Sequence, residues 1–133
     1  MNTEKRYFRL PKRNLPVIGE ADVIVVGASL GGISAAIRAA KEGAKVFVVG
    51  YMPYPGEDLC GHYKYLFEYE CPDCAHPLLD AIFPKDSIRT PFTVKKALEN
   101  AMLENDIDFL YSSYVTEVLM DKENEPAGVV IVN

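Results

Sequence analysis

Two groups of residues in this chain have the types and spacing for chemistry. The first is the run Gly27-Ala28-Ser29-Leu30-Gly31-Gly32. Glycines at the ends of such a run let a strand turn sharply and let a helix pack closely upon it. The start of that helix offers free N–H groups and a positive dipole end, which attract phosphate. The spacing follows G-x-G-x-x-G, with Ser29 where the central glycine would let backbone approach a pyrophosphate. Serine adds bulk there, yet its hydroxyl can itself bond a phosphate oxygen. An acid normally closes the second strand of such a unit and accepts from ribose hydroxyls. Gly50 stands at that place, and Glu57 and Asp58 are acids that a turn could bring back. Cofactor contacts are therefore expected from Gly27, Ala28, Ser29, Leu30, Gly31, Gly32, Gly50, Glu57 and Asp58.

The second group is Cys60, His62, Cys71, Cys74 and His76. Thiolates and imidazoles suit tetrahedral zinc, and C-x-x-C is a common half-site. Cys60, Cys71, Cys74 and His76 form the candidate zinc set, although a second C-x-x-C or a spaced histidine pair is missing. A redox dithiol at Cys71 and Cys74 is a second reading, and unpaired thiols in a loop a third. Tyr51, Tyr54, Tyr63, Tyr65 and Tyr69 could stack on a flat ligand, but they read better as residues that pack a long loop onto the body.

The elements that must position these groups are legible in part. Residues 21–26 and 44–49 are short apolar runs, fit for strands buried on both faces. Residues 27–32 read as a turn. Ile33, Ala36, Ile37 and Ala40 then fall on one helical face, and Gly43 stops that helix. Two such strands joined by one helix form a parallel, right-handed βαβ unit. Residues 50–91 carry many prolines and tyrosines and all three cysteines, and so long an irregular segment is usually functional. The motif "HYKYLFEYE" within it predicts a short strand or a helical turn. Thr90-Pro91 opens a second amphipathic helix, marked by Val94, Ala97, Leu98, Ala101 and Met102. "IDFLY" predicts a third strand, and "VTEVLM" and "AGVVIV" a hairpin across "DKENEP". The fold class is α/β: a Rossmann-like parallel unit, then a helix, a strand and a hairpin or meander. Residues 1–20 form an extended arm and residues 21–133 the domain, with 50–91 as its long Cys/Tyr/Pro-rich segment.

Composition excludes several functions. The chain has 133 residues and a net charge of −5, enough for one domain with a real core. Lys5, Arg6, Arg9, Lys12 and Arg13 face only Glu4 within residues 1–13, so the rest of the chain is the more acidic part. An acidic body argues against a nucleic-acid surface. No apolar run reaches the roughly 18 residues of a membrane span, and the N-terminus lacks the apolar core of a signal peptide. Three cysteines without an export signal point to the cytoplasm.

The stretch "LPVIGEADVIVVGASLGGISAAIRAAKEGAKVFVVG" resembles the opening of FAD-dependent oxidoreductases of the two-dinucleotide-binding-domain, glutathione-reductase-like type. A typical member there has V-V-G-G-G-P-A-G-x-x-A-A. The order that follows is similar too, through "PYPGEDLCG" and on from "TPFTVKKALENAMLENDIDFLY" to the end, and it looks like a bacterial branch of these flavoproteins. The resemblance covers residues 14–133, and only its glycine segment is motif-grade. It implies an FAD cofactor and electron transfer between a substrate and the flavin ring. Ser29 and Gly50 depart from the fingerprint. The sequence also stops where the meander would continue, so a truncated FAD/NAD(P)-binding domain is expected, incomplete and inactive alone. Such a domain would expose a sheet edge and self-associate through it. The alternative is a degenerate, non-catalytic nucleotide- or protein-binding module, zinc-stabilised through the Cys/His segment.

Overall fold

The computed structural model describes residue 12 and residues 14–66, 77–83 and 89–133. Strand β1 is Val23–Val26, helix α1 is Leu30–Lys41 and strand β2 is Val46–Val49. Short helices α2, Glu57–Cys60, and α3, Pro77–Ile82, follow. Helix α4 is Pro91–Leu103, strand β3 is Asp108–Leu110, and β4, Tyr114–Met120, pairs with β5, Pro126–Val132. Strands β1, β2 and β3 form a parallel sheet in that order, with Val25 beside Val48 and Val48 beside Phe109. The βαβ unit, the second helix, the third strand and the antiparallel hairpin all stand where the sequence pattern puts them.

The strand order dictates the layers. Both crossovers move the chain the same way along the sheet, and right-handed crossovers of that kind place their helices on one face. Helices α1 and α4 accordingly share a core with alternate strand residues. Ile33, Ala36, Val46, Val48, Val94, Leu98 and Met102 are all buried there, with Val23, Val25 and Phe109 packed against them. The opposite strand positions face away from these helices. This corrects the expectation that the first strand is buried on both faces. It begins at Val23 rather than residue 21, it lies at one edge of the described sheet, and its Val26 is 62% exposed. Strand β2, flanked on both sides, is the buried one: Val46, Val48 and Val49 are each at most 1% exposed.

Local chemistry sets the helix ends. Gly43 takes a left-handed φ of 91° after α1, and its N–H donates to Ala40 O, so the expected glycine stop holds. Helix α4 starts on a reciprocal cap. Thr90 Oγ1 accepts from Thr93 N at 3.2 Å, and Thr93 Oγ1 accepts from Thr90 N at 3.0 Å, with Pro91 at the first helical position. The turn of the hairpin is held by Asp121, whose Oδ1 accepts from Glu123 N and Glu125 N. The long segment is less irregular than its composition suggests. It supplies α2, a 3₁₀ turn at Lys64–Leu66 within "HYKYLFEYE", and α3. Among the described residues no helix is long and apolar enough to cross a membrane.

Candidate functional site

The glycine run sits at the carboxyl end of β1, where α/β sheets bind their ligands. Gly27 leaves the strand with φ of 111°, a conformation that side-chain-bearing residues rarely adopt, and its N–H donates to Val49 O at 2.8 Å. A Cβ on Gly32 would lie 2.2 Å from Gly27 O, so only glycine lets the helix start this close to the strand end. The helix begins earlier than the sequence suggests. Leu30, Gly31 and Gly32 are its first turn rather than part of a loop, because Ser29 is its N-cap. Ser29 Oγ accepts from Gly32 N at 3.1 Å, the bond that makes serine a favoured cap. The cap uses Ser29 Oγ only as an acceptor, so its hydroxyl hydrogen is left to donate to a phosphate oxygen as the sequence offers.

The acidic segment returns to this turn. Gly56, with φ of 76°, donates its N–H to Ala28 O at 2.7 Å and so brings α2 against the run. Asp58 Oδ1 then accepts from Leu30 N at 3.0 Å, placing a carboxylate on the first amide of α1. A negative group there is stabilised by the helix dipole and the exposed amide together. Gly31, exposed between them, keeps a first-turn N–H with no partner among the described residues. The geometry therefore joins Gly27, Ala28, Ser29, Leu30, Gly31, Gly32, Glu57 and Asp58 in one place.

Gly50 serves packing. Its N–H donates to Leu110 O and its carbonyl accepts from Ser113 N, which continues the β2–β3 pairing past Val49. A Cβ at Gly50 would lie 2.9 Å from Ala28 Cβ and 3.3 Å from Tyr111 Cδ1. Tyr111, which the sequence reading did not single out, closes that side. It stacks obliquely on Phe109 and donates its hydroxyl to Glu99 Oε2 at 3.4 Å. Burial first, then the Glu99 charge, pushes the Tyr111 phenol well above its ordinary range.

Glu57 is the anomaly of the site. It is 8% exposed, and its Oε2 is buried without a hydrogen-bond partner among the described residues. Its Oε1 lies 3.9 Å from the point where a Cβ on Gly27 would stand, so the carboxyl faces the turn. Burial raises its pKa, a bond to its own backbone N–H opposes this, and the neighbouring Asp58 charge adds to the rise. Sequence spacing treated Glu57 and Asp58 alike. The structure separates them into a satisfied cap and an unsatisfied acceptor.

The cysteine group divides at the boundary of the described residues. Cys71, Cys74 and His76 lie outside them, and so does Tyr69. Among the described residues no three His, Cys, Asp or Glu side chains gather around a metal position. Cys60 is buried in the core, its Sγ donating weakly to Pro91 O at 3.7 Å, while nearby His62 is exposed. Burial is the main cause that raises the Cys60 pKa, Lys95 lowers it and Asp58 raises it, so the thiol stays protonated and poorly nucleophilic. Of the tyrosines, Tyr65 is core and Tyr54 packs against the core under Lys95, whose Nζ stands 3.4 Å from the ring centroid. Tyr51 and Tyr63 are exposed.

Two outcomes follow from this geometry. Restoring an acid by Gly50→Glu forces Ala28 and Tyr111 apart. It is expected to lower the melting temperature by several degrees, as overpacking costs about 1–3 kcal/mol, and a thermal melt checks it. Glu57, with its pKa raised in the fold, binds a proton more tightly folded than unfolded. Stability is then full below the ordinary glutamate value near 4.5 and falls as pH rises through and above it. Glu57→Gln removes that loss. The variant should melt higher than the parent at pH 8, by the equivalent of about 1 kcal/mol, with the two converging near pH 4. Parallel melts at the two pH values measure the difference.

With the geometry in place, comparison with known proteins gives a consistent result. Residues 22–59 match a family model described as FAD dependent oxidoreductase. That span runs from the start of β1 through the glycine turn, α1 and β2 into α2, and includes the Glu57-Asp58 pair. No curated protein matches the chain. Among solved structures, THI4 of Thermovibrio ammonificans superposes with a TM-score of 0.62 at 14% identity, covering 84% of this chain and 47% of that one. A 3-ketosteroid-delta4-(5alpha)-dehydrogenase from Rhodococcus jostii RHA1 gives 0.54 at 17% identity, covering 84% and 42%. OTEMO in complex with FAD and NADP gives 0.53 at 14% identity, covering 84% and 22%. The chain spans less than half the length of each of these structures. At such identities the likeness is one of fold. The domain has a Rossmann-like fold, and its opening βαβ unit with the acidic segment matches the sequence pattern of the FAD dependent oxidoreductase family model.

Proposed function

We propose that this chain is the FAD-binding portion of a flavin-dependent oxidoreductase. The observation that carries this reading is that the family match over residues 22–59 takes in both the glycine turn and the acidic pair that the structure folds back onto it. A superposable structure holds FAD and NADP, which supports the choice of ligand class. The residues present fit a dinucleotide. Gly27 and Gly32 leave the turn without side-chain bulk, and among the described residues Gly31 N–H has no partner beside the positive end of α1 and the buried Glu57 oxygen has no donor.

In this role the backbone of residues 27–31 receives the pyrophosphate. Ser29 fixes the helix start and keeps its hydroxyl hydrogen for a phosphate oxygen, while the Asp58 carboxylate holds Leu30 N–H in competition with one. That competition makes the pyrophosphate grip weaker than that of a turn whose first amides are all free. When bound, FAD supplies the redox chemistry, and the protein contributes position and exclusion of water. The whole enzyme's substrate is a matter for regions beyond the residues that form this turn.

Strands β1 and β3 each have one partner in the described sheet, which supports self-association through an open edge. Sedimentation that finds monomer alone across a wide concentration range removes that second element.

The decisive experiment adds FAD to the purified chain and follows flavin fluorescence and the melting temperature. Bound flavin approaching one per chain is expected. So is a rise in melting temperature that grows with FAD concentration, since a ligand at a hundred times its dissociation constant adds about 2.7 kcal/mol. A chain that takes up no flavin and melts unchanged in excess FAD is not an FAD-binding unit.

A further inference from the structure

We propose that Glu57 is the group that recognises a sugar hydroxyl of the bound dinucleotide, in place of the acid missing at Gly50. The proposal rests on the FAD-binding reading above and assigns one residue within it.

The starting point is a cost. A buried polar atom without a partner destabilises a fold by about 1–3 kcal/mol, and more when charged. Glu57 Oε2 is such an atom, on a side chain more than nine-tenths buried. Nothing in the packing demands an acid there. The other acid of the pair makes the helix cap, and the segment is anchored by Gly56 N–H on Ala28 O. The carboxyl nevertheless faces Gly27, the residue at which the chain enters the candidate binding turn.

Charge and chemistry narrow what would satisfy it. Asp58 stands next in the chain with its carboxylate on the first amide of α1. Two adjacent carboxyl groups repel a phosphate, so Glu57 is not a phosphate ligand. Among the described residues there is no cluster of three metal-ligating side chains, and a lone carboxyl is a poor cation site. A neutral donor remains. The donors that a dinucleotide carries next to its phosphates are hydroxyls: those of the adenosine ribose on one side and of the flavin's ribitol chain on the other. Either would give the carboxylate the partner it lacks, and a bond to the charged form would draw its pKa back down.

The steric account of Gly50 supports the same assignment. An acid at residue 50 would have its Cβ 2.9 Å from Ala28 Cβ, so the usual position is closed by packing. An acid carried on the returning segment reaches the turn without displacing Ala28 or Tyr111. Sugar recognition thus shifts from the end of β2 to the first residue of α2.

The test measures binding of FAD, riboflavin 5′-phosphate and ADP to the full chain, its Glu57→Gln variant and its Glu57→Ala variant. FAD affinity is expected to fall by about ten-fold or more in either variant, the weight of a hydrogen bond to a charged group. Loss shared with riboflavin 5′-phosphate alone assigns the bond to the ribitol chain. Loss shared with ADP alone assigns it to the adenosine ribose. The melting temperature of unliganded Glu57→Gln, at or above that of the parent at neutral pH, separates lost recognition from lost fold. If Glu57→Gln does not fold, Glu57→Ala carries the measurement. Variants that bind FAD as tightly as the parent overturn the proposal and leave the FAD-binding reading in place. A parent chain that binds none of the three ligands overturns both.

Discussion

The site depends on one close approach. The start of α1 and the end of β1 come together so tightly that a single added carbon on Gly32 would meet the carbonyl of Gly27 at 2.2 Å. That contact sets the angle at which α1 crosses the sheet. It buries Ile33, Ala36 and Ile37 against the strands, and it leaves the first amides of the helix pointing out of the turn. Everything later in the chain that matters to the site is positioned by reference to this corner. Gly56 bonds Ala28, Asp58 caps Leu30, and Gly50 passes flat against Ala28. A looser corner would still allow a βαβ unit, but it would not offer a turn of this shape with carboxyl groups folded onto it.

The architecture was largely written in periodicity. Alternating and continuous apolar runs marked the strands, and the stripe of Val94, Leu98 and Met102 marked α4, since these patterns follow from which face meets the core. What periodicity does not encode is company. The run at residues 21–26 looks buried on both faces because its composition is as apolar as that of β2. Its exposure is decided by strand order, which places β2 in the middle and β1 at an edge. The start of α1 was misjudged for a related reason. Glycines at positions 31 and 32 read as loop by propensity, whereas the Ser29 cap and the steric demand at Gly32 draw them into the helix.

The candidate site was legible as a set of residues and opaque as a set of roles. Spacing identified the glycine run and the two acids, because those residue types are scarce and their order is informative. Spacing could not tell that Asp58 would reach back twenty-eight residues to an amide while Glu57 would not. Nor could it show that the absence of an acid at Gly50 has a steric cause in Ala28 and Tyr111. Those are facts of three-dimensional proximity between segments that share no local pattern. The cysteine-rich stretch can be followed only in part, because Cys71, Cys74 and His76 lie outside the described residues. Crowding in sequence suggests a shared site, yet Cys60 belongs to the hydrophobic core and nearby His62 faces solvent.

On the proposed reading, the two acids let one segment serve both stability and recognition. Asp58 stabilises the unliganded corner: its charge is matched by a helix dipole and a hydrogen bond, and the same match makes it a rival to any phosphate at that amide. Glu57 works in the other direction, destabilising the unliganded corner by an acceptor that nothing fills. A corner built this way favours a ligand that brings hydroxyl donors as well as phosphates, because the hydroxyl supplies what the fold lacks while the phosphate must compete for what the fold already has. A phosphodiester group without hydroxyls offers only the contested half of that exchange. A dinucleotide with its sugars offers both, so the discrimination between them lies in the pairing of a satisfied acid with an unsatisfied one.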